Sequence, residues 1–424
     1  MAEFNDKIEK DIQDALAEVE AMLREQYERN ERIAKRAKQA DALDGGKAGD
    51  NGADGKAGGN GADGKGANSN AKASRKTVIG LAPGDGIGPY IMKEVKPVLE
   101  ELLKNELSEG TVEFKDIEGF TLERRLETGE TVPADVLEQL SACDVLLKGP
   151  TTTPNASMGG KNLESANVFL RKKFDLYANV RPVKLDEEGI DWTFFRENTE
   201  GEYALGSRGV RLGDALSMDF KVTTNAGTRR IAKAAFDFAR ANGKKRVSIV
   251  TKANIMKKTD GDFQSICLDV AKDYPEIQTD CWFVDIMAAN LVNKDIRSDF
   301  EVFVLPNLYG DIITDEAAQI QGGVGTAGSA NIGADYALFE AIHGSAPRMV
   351  AEGIADLANP ASLMTAGVML LRHIGLIGKA AVLENAIRLA DSEIGSQMTG
   401  MPGGASCKDF AKLVLENISN ADAK

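Results

Sequence analysis

From Glu3 to about residue 42 the chain is built of Glu, Lys, Arg, Ala and Gln, with no Gly or Pro. Phe4, Ile8, Ile12, Leu16, Val19, Leu23 and Tyr27 recur at spacings of three and four. That period marks one face of a helix about 55 Å long at ~1.5 Å per residue. The stripe is narrow and Asn30 falls on it, as in a short coiled-coil seam. A lone amphipathic helix has to bury its stripe somewhere. We expect self-association or a partner, with packing against the chain's own body as the alternative. The helix is assigned to residues 1–43.

Periodicity stops at 44–75, where Asn51-Gly-Ala-Asp-Gly-Lys is repeated at Asn60-Gly-Ala-Asp-Gly-Lys. Gly, Ala, Asn, Asp and Lys without aromatics cannot build a core, so a flexible linker is expected. From Arg75 the pattern becomes strand, Gly-rich turn, helix, repeated. Thr77-Val-Ile-Gly-Leu-Ala, Asp144-Val-Leu-Leu-Lys and Arg246-Val-Ser-Ile-Val-Thr read as strands. Ile91–Leu103, Thr228–Asn242 and Phe263–Asp273 read as helices. The alternation predicts an α/β fold with a parallel sheet covered by helices on both faces. Ligands in such sheets sit at the carboxyl ends of the strands.

Composition narrows the chemistry. With 424 residues there is room for two or three domains. A net charge of −14 argues against nucleic acid or an anionic membrane as the main partner. Cys143, Cys267, Cys281 and Cys407 show no CxxC spacing, which suits reduced thiols and a cytoplasmic location. His343 and His373 are too few for a His-rich zinc site. The N-terminus does not read as a signal peptide, and no apolar run approaches the ~20 residues of a membrane span.

The densest signal is Pro306-Asn-Leu-Tyr-Gly-Asp-Ile-Ile-Thr-Asp-Glu-Ala-Ala-Gln-Ile, after the strand-like Glu301-Val-Phe-Val-Leu. Asp311 and Asp315 are one helical turn apart, and their hard oxygens suit Mg²⁺ or Mn²⁺. Gly310 leaves room for a ligand beside the backbone. The plain alternative is a helix N-cap, Asp311, followed by a first-turn acid. Arg171, Arg181 and Arg196 could grip a polycarboxylic acid through their planar forks. Lys252 follows a strand and suits an anchor or a proton-transfer group. The turn Gly84-Asp-Gly-Ile-Gly-Pro89 lacks the dinucleotide fingerprint and marks only a loop near a ligand.

Six segments in order resemble the metal-dependent β-decarboxylating dehydrogenases that act on isocitrate, homoisocitrate and 3-isopropylmalate. They are Gly84-Asp-Gly-Ile-Gly-Pro89, Phe174-Asp-Leu-Tyr-Ala-Asn-Val-Arg-Pro182, Phe195-Arg-Glu-Asn-Thr-Glu-Gly-Glu-Tyr203, Lys252-Ala-Asn-Ile-Met-Lys257, Asn307-Leu-Tyr-Gly-Asp-Ile-Ile-Thr-Asp315 and Glu340-Ala-Ile-His-Gly-Ser-Ala-Pro347. The resemblance covers residues 76 to about 418. It implies a two-domain α/β fold distinct from the Rossmann fold. The large domain would be 76–176 and 322–424, and the small substrate and dimerisation domain 177–321. Residues 201–224 would interlock with a second copy of the chain.

The resemblance also implies site roles. Asp311 and Asp315, with Asp285 of the partner subunit, would hold Mg²⁺ or Mn²⁺. Arg171, Arg181 and Arg196 would bind the substrate carboxylates, with Ser165 and Asn167 at the γ-substituent. Tyr203, with Lys252 of the partner subunit and Asp285 of the partner subunit, would be catalytic. Thr152, Glu340, His343, Gly344, Ser345, Ala346 and Asn359 would line the cofactor site. The polar Ser165 and Asn167 favour isocitrate, because an apolar γ-substituent would leave their hydrogen bonds unmade. The implied reaction is NAD-linked oxidative decarboxylation of isocitrate within the tricarboxylic acid cycle, by a homo-oligomer. The N-terminal helix lies outside the resemblance and is expected to join dimers into a larger assembly or to dock on another protein. The alternatives are homoisocitrate or 3-isopropylmalate as substrate, NADP as cofactor (through Arg348, whose guanidinium suits a 2′-phosphate) and a non-catalytic, regulatory role in a hetero-oligomer.

Overall fold

The computed structural model describes residues 2–45, 76–154, 163–206, 208–212, 215–323 and 325–422. Most of the expected linker, residues 46–75, lies outside them. The strands are β1 Thr77–Ala82, β2 Val112–Asp116, β3 Val145–Lys148, β4 Ala178–Leu185, β5 Ile190–Glu197, β6 Val210–Leu212, β7 Leu216–Met218, β8 Arg246–Thr251, β9 Gln278–Phe283, β10 Val302–Leu305, β11 Gly328–Ile332 and β12 Ala337–Ala341. The chain divides into two compact units.

The larger unit comprises Ala71–Phe194, Asn290–Asp299 and Asp311–Lys424. Its strands run in the order β2-β1-β3-β12-β11-β4-β5. β1 is parallel to β2 and β3, and β3 to β12. The all-parallel expectation fails at β11, which is antiparallel to both β12 and β4. The cause is local. Gly333 donates its N–H to the Tyr336 carbonyl at 2.9 Å, and so short a connection can only reverse the chain. Helix Gly88–Leu102 shows how sequence makes the core: Pro89 stands in its first turn, and Ile91, Val95, Val98 and Leu102 are buried at three- and four-residue steps.

The smaller unit comprises Met1–Asn70, Phe195–Ala289 and Phe300–Gly310. β8 is parallel to β10 and β9. Thr224 caps helix Asn225–Ala241 by accepting from Gly227 N, and the helix buries Ile231, Ala235, Phe236 and Ala239. β6 and β7 form a separate antiparallel pair.

The N-terminal helix runs Ala2–Gly45 and lies against helix Asn225–Ala241 and β6 of its own unit. This corrects the expected seam. Among its described side chains the buried apolar residues are Met22 and Ile33, while Leu16, Leu23 and Tyr27 of the expected stripe are 56%, 66% and 70% exposed. Ile12 and Val19 of that stripe are half-buried and Asn30 lies on the docked side, so the face in use overlaps the expected one and is turned by less than the ~100° of one residue step. Asn30 is not a seam asparagine here: its side-chain oxygen accepts the free N–H of Ala226, at 3.1 Å, in the first turn of helix Asn225–Ala241. No described helix is long and apolar enough to cross a membrane.

Candidate active site

Helix Asn307–Gln321 starts immediately after β10, so Asp311 and Asp315, which belong to the larger unit, stand inside it and Asp311 is not the N-cap. Arg181, from β4, reaches both: Nη1 lies 3.1 Å from Asp315 Oδ1 and Nη2 lies 3.4 Å from Asp311 Oδ1. Nη1 also donates to Thr314 Oγ1 at 2.5 Å, and Nε to Asn179 Oδ1 at 2.8 Å. Burial pulls the Arg181 guanidinium below its ordinary value, while the two aspartates oppose that shift. It stays cationic, because an arginine starts so high.

A buried polar chain continues across the sheet from Arg181. Asn179 donates to Ser329 Oγ and Asn331 Oδ1 at 2.8 and 2.9 Å, and Asn331 donates to Glu340 Oε1 at 2.8 Å. Glu340 faces Lys148 across the β3–β12 pair, with Lys148 Nζ 2.9 Å from Oε2. Arg171 Nη2 approaches Oε1 at 3.4 Å. Burial alone would raise the Glu340 carboxyl. The cations Lys148 and Arg171, with hydrogen bonds from Lys148 and Asn331, outweigh it and hold Glu340 at about 2. Lys148, Asn179 and Asn331 were missed as functional candidates. Their signal is a polar residue inside or ending an otherwise apolar strand.

Helix Ala166–Lys173 places the next group. Ser165 is its N-cap residue but makes no side-chain capping bond, and Asn167 Oδ1 accepts from Thr151 Oγ1 at 2.8 Å. Arg171 lies in the last turn and is buried.

The expected cofactor residues gather around a loop. Thr152 Oγ1 and Ser345 Oγ are 2.6 Å apart, and the Thr152 N–H donates to Asp85 Oδ2 at 2.7 Å. The Gly-rich turn is what seats them. Gly86 has φ +62°, and a Cβ there would lie 1.9 Å from the Ser345 carbonyl oxygen. His343 Nδ1 is 3.0 Å from the Gly344 carbonyl, and burial lowers the imidazole's pKa. Ala346 adopts a left-handed φ of +42° ahead of helix Pro347–Ala351. Asn359 Oδ1 accepts from Ala361 N at 2.9 Å. Arg348 is 79% exposed and its Nε is 2.6 Å from Glu352 Oε1.

The smaller unit holds the remaining expected residues. Lys252 follows β8, and its Nζ is 2.5 Å from Asp285 Oδ1. That hydrogen bond lowers the Asp285 carboxyl from its ordinary value. Asp260, fully buried, fixes the Lys252 backbone by accepting its N–H at 2.7 Å. Arg196 is buried, donates Nε and Nη2 to Asn307 Oδ1 at 2.9 and 2.7 Å, and stands 5.4 Å from the centre of the Tyr203 ring. The space beside Gly310 belongs to Arg196: a Cβ would meet its Cγ at 2.5 Å, so the glycine admits this side chain where a ligand was expected.

Asp311 and Asp315 offer hard oxygens on one helical face with side chains 37% and 59% exposed, a donor set that fits part of a Mg²⁺ or Mn²⁺ shell. Among the described residues no group of three His, Cys, Asp or Glu side chains converges for a metal.

The chain belongs to the isocitrate/isopropylmalate dehydrogenase family, whose model matches residues 78–414. It is 36% identical over 351 residues to the alpha chain of the probable mitochondrial NAD isocitrate dehydrogenase of Caenorhabditis elegans, covering 81% of this chain and 93% of that protein. It is 35% identical over 363 residues to a regulatory chain of the mitochondrial NAD isocitrate dehydrogenase of Dictyostelium discoideum, covering 84% and 95%. The crystal structure of isocitrate dehydrogenase from Methylococcus capsulatus matches with a TM-score of 0.70 at 34% identity, covering 81% of this chain and 99% of that one.

Proposed function

We propose that the chain oxidatively decarboxylates isocitrate to 2-oxoglutarate and CO₂, reducing NAD. The observation that carries this reading is Arg181, a buried guanidinium held against the Asp311 and Asp315 carboxylates. A guanidinium fork beside a pair of aspartates suits a hydroxy-polycarboxylate chelated to a metal, which supports this reading. The similarity to the chains of NAD isocitrate dehydrogenases supports the same substrate and cofactor.

In this reading Arg171, Arg181 and Arg196 neutralise and orient the substrate carboxylates. Ser165 and Asn167 meet the γ-carboxylate. Asp311 and Asp315 hold Mg²⁺ or Mn²⁺ together with Asp285 of the partner subunit in a homodimer. The bound cation supplies Lewis-acid stabilisation of negative charge on the C2 oxygen. The partner's Lys252 takes the C2 hydroxyl proton through the partner's Asp285 as hydride passes from C2 to the nicotinamide. The C–CO₂ bond then breaks and its electron pair stays on the substrate carbon as an enol. Tyr203 returns a proton to that carbon. Thr152, Glu340, His343, Gly344, Ser345, Ala346 and Asn359 seat the dinucleotide. Arg348, paired with Glu352 at the surface, is the residue that would meet a 2′-phosphate were NADP the cofactor.

The test is the initial rate of cofactor reduction with isocitrate and Mn²⁺, NAD and NADP side by side, repeated with homoisocitrate. Turnover of isocitrate with NAD is expected. Turnover of homoisocitrate alone reassigns the substrate. No turnover with either, despite isocitrate binding, assigns a regulatory role in a hetero-oligomer.

A further inference from the structure

Two carboxylates are buried in the segment that carries Arg196 and Tyr203. Glu197 is 2% exposed and Glu200 is 3% exposed. Glu197 accepts the backbone N–H groups of Thr199 and Glu200 at 2.9 and 2.6 Å and the Thr199 hydroxyl at 2.7 Å. Glu200 accepts Thr224 N at 2.9 Å and Thr224 Oγ1 at 2.5 Å. Two buried acids so close need cations. Arg230, on helix Asn225–Ala241, donates to Thr199 Oγ1 at 3.2 Å. The other cation comes from the N-terminal helix. Arg29 Nη1 lies 2.7 Å from Glu200 Oε1 and Nη2 lies 2.6 Å from Thr199 Oγ1, with only 18% of the Arg29 side chain exposed. Asn30, next to it, caps Ala226, and Arg208 bridges to Glu25 at 2.6 Å, so the helix is pinned on both sides of Arg29.

From Glu200 the chain of contacts leads to the substrate arginine. Asn307 Nδ2 donates to the Glu200 carbonyl at 3.0 Å, and Asn307 Oδ1 holds the Arg196 fork. Arg29 lies outside residues 78–414, so this link belongs to the N-terminal segment and not to the region the family model matches.

We propose that Arg29 is a positioning residue: docking of the N-terminal helix inserts its guanidinium under the 197–200 turn and thereby fixes Arg196 for the substrate carboxylate. The inference rests on the isocitrate reading for what Arg196 binds, but not for the docking itself. Loss of Arg29 leaves Glu200 buried without that cation, and the turn relaxes away from Asn307. The effect falls on substrate affinity and not on the bond-breaking steps.

The experiment uses full-length protein and the substitutions Arg29→Ala, Arg29→Lys and Glu200→Gln. Hydrogen exchange of the 196–203 backbone, measured without substrate, reads the docking. Steady-state rates with isocitrate read the function. Arg29→Ala is expected to speed exchange across this segment and to raise the isocitrate KM by about tenfold, with kcat changed less than about twofold and the NAD KM unchanged. Arg29→Lys restores most of both, because it returns the charge. Adding Arg29→Ala to Glu200→Gln costs less than adding it to the wild type, since the pair is coupled. Unchanged exchange in Arg29→Ala overturns the proposal, as does faster exchange with an unchanged KM. If Arg29→Ala does not fold, wild-type exchange and isocitrate KM in Glu200→Gln overturn it. A wild type that does not turn over isocitrate removes the isocitrate reading, and exchange then decides the docking alone.

Discussion

Lys148 Nζ lies 2.9 Å from Glu340 Oε2 across directly paired positions of β3 and β12, with the lysine side chain fully buried. A buried lysine is tolerated only with its charge met, and Glu340 meets that of Arg171 as well. Replacing Glu340 by Gln keeps the shape and strands both cations. Stability should fall by roughly 3–5 kcal/mol, the usual cost of breaking a buried pair by removing one partner. Urea unfolding at neutral pH measures it. The same carboxyl sets an acid limit. Its folded value of about 2 lies below the ordinary 4.5, so its stabilisation is complete above pH 4.5 and drains away as pH falls towards 2. The Glu340→Gln protein should lack that part of the acid transition.

Glu197 has the opposite sign. Burial first, then the neighbouring Glu200 charge, raises it from 4.5 to about 6, against the pull of Arg29, the Thr199 hydroxyl and Arg230. A raised folded value means stability is present below pH 4.5 and is lost as pH rises through about 6. The loss is of order 2 kcal/mol at ~1.36 kcal/mol per unit. Thermal unfolding followed from pH 4.5 to 8 should show this decline in wild type and not in Glu197→Gln. An equal slope in both would place the titration elsewhere.

Gly86 tests how the loop 343–346 is held. Alanine there meets both a φ of +62° and a Cβ position 1.9 Å from the Ser345 oxygen. The backbone strain alone costs roughly 1–3 kcal/mol, and relief requires Ser345 to retreat. Gly86→Ala should therefore raise the NAD KM several-fold while leaving the isocitrate KM near wild type. Ser345 shares its hydroxyl contact with Thr152, so the shift should appear on the cofactor side.

These cases show where sequence reading reached and where it stopped. Asp311 and Asp315 were legible because a strand, a glycine and an i, i+4 acid pair are local patterns. The arginines were legible as residues but not as partners. That Arg181 serves the aspartates while Arg171 serves Glu340 depends on strand order, and β11 enters between β4 and β12 by a reversal that alternation does not forecast. Asn179 and Asn331 face each other across β4 and β11 for the same reason. On the N-terminal helix the period was right and the face partly so: Ile12, Val19 and Asn30 lie on the docked side, while Leu16, Leu23 and Tyr27 are exposed. Arg29 and Asn30 lie on the docked side because they answer buried acids and a free helix N–H, neither of which is written near residue 30.

Asp315 supplies the last prediction. In the protein alone, Arg181 donates to both Asp311 and Asp315, so their negative charge is already partly met. In the proposed reading a divalent cation bound there would compete with that guanidinium, with its doubled charge and short oxygen shell in its favour. Ligand binding to the folded state alone stabilises by about 2.7 kcal/mol at a hundredfold excess over Kd. Mn²⁺ should therefore raise the melting temperature of the wild type, and isocitrate with Mn²⁺ should raise it further. Asp315→Asn halves the paired negative charge while leaving Arg181 a hydrogen-bond acceptor. It should abolish the Mn²⁺ shift without unfolding the protein, and any residual activity should need far more Mn²⁺. A Mn²⁺ shift equal to wild type in both Asp311→Asn and Asp315→Asn would mean that the cation sits elsewhere.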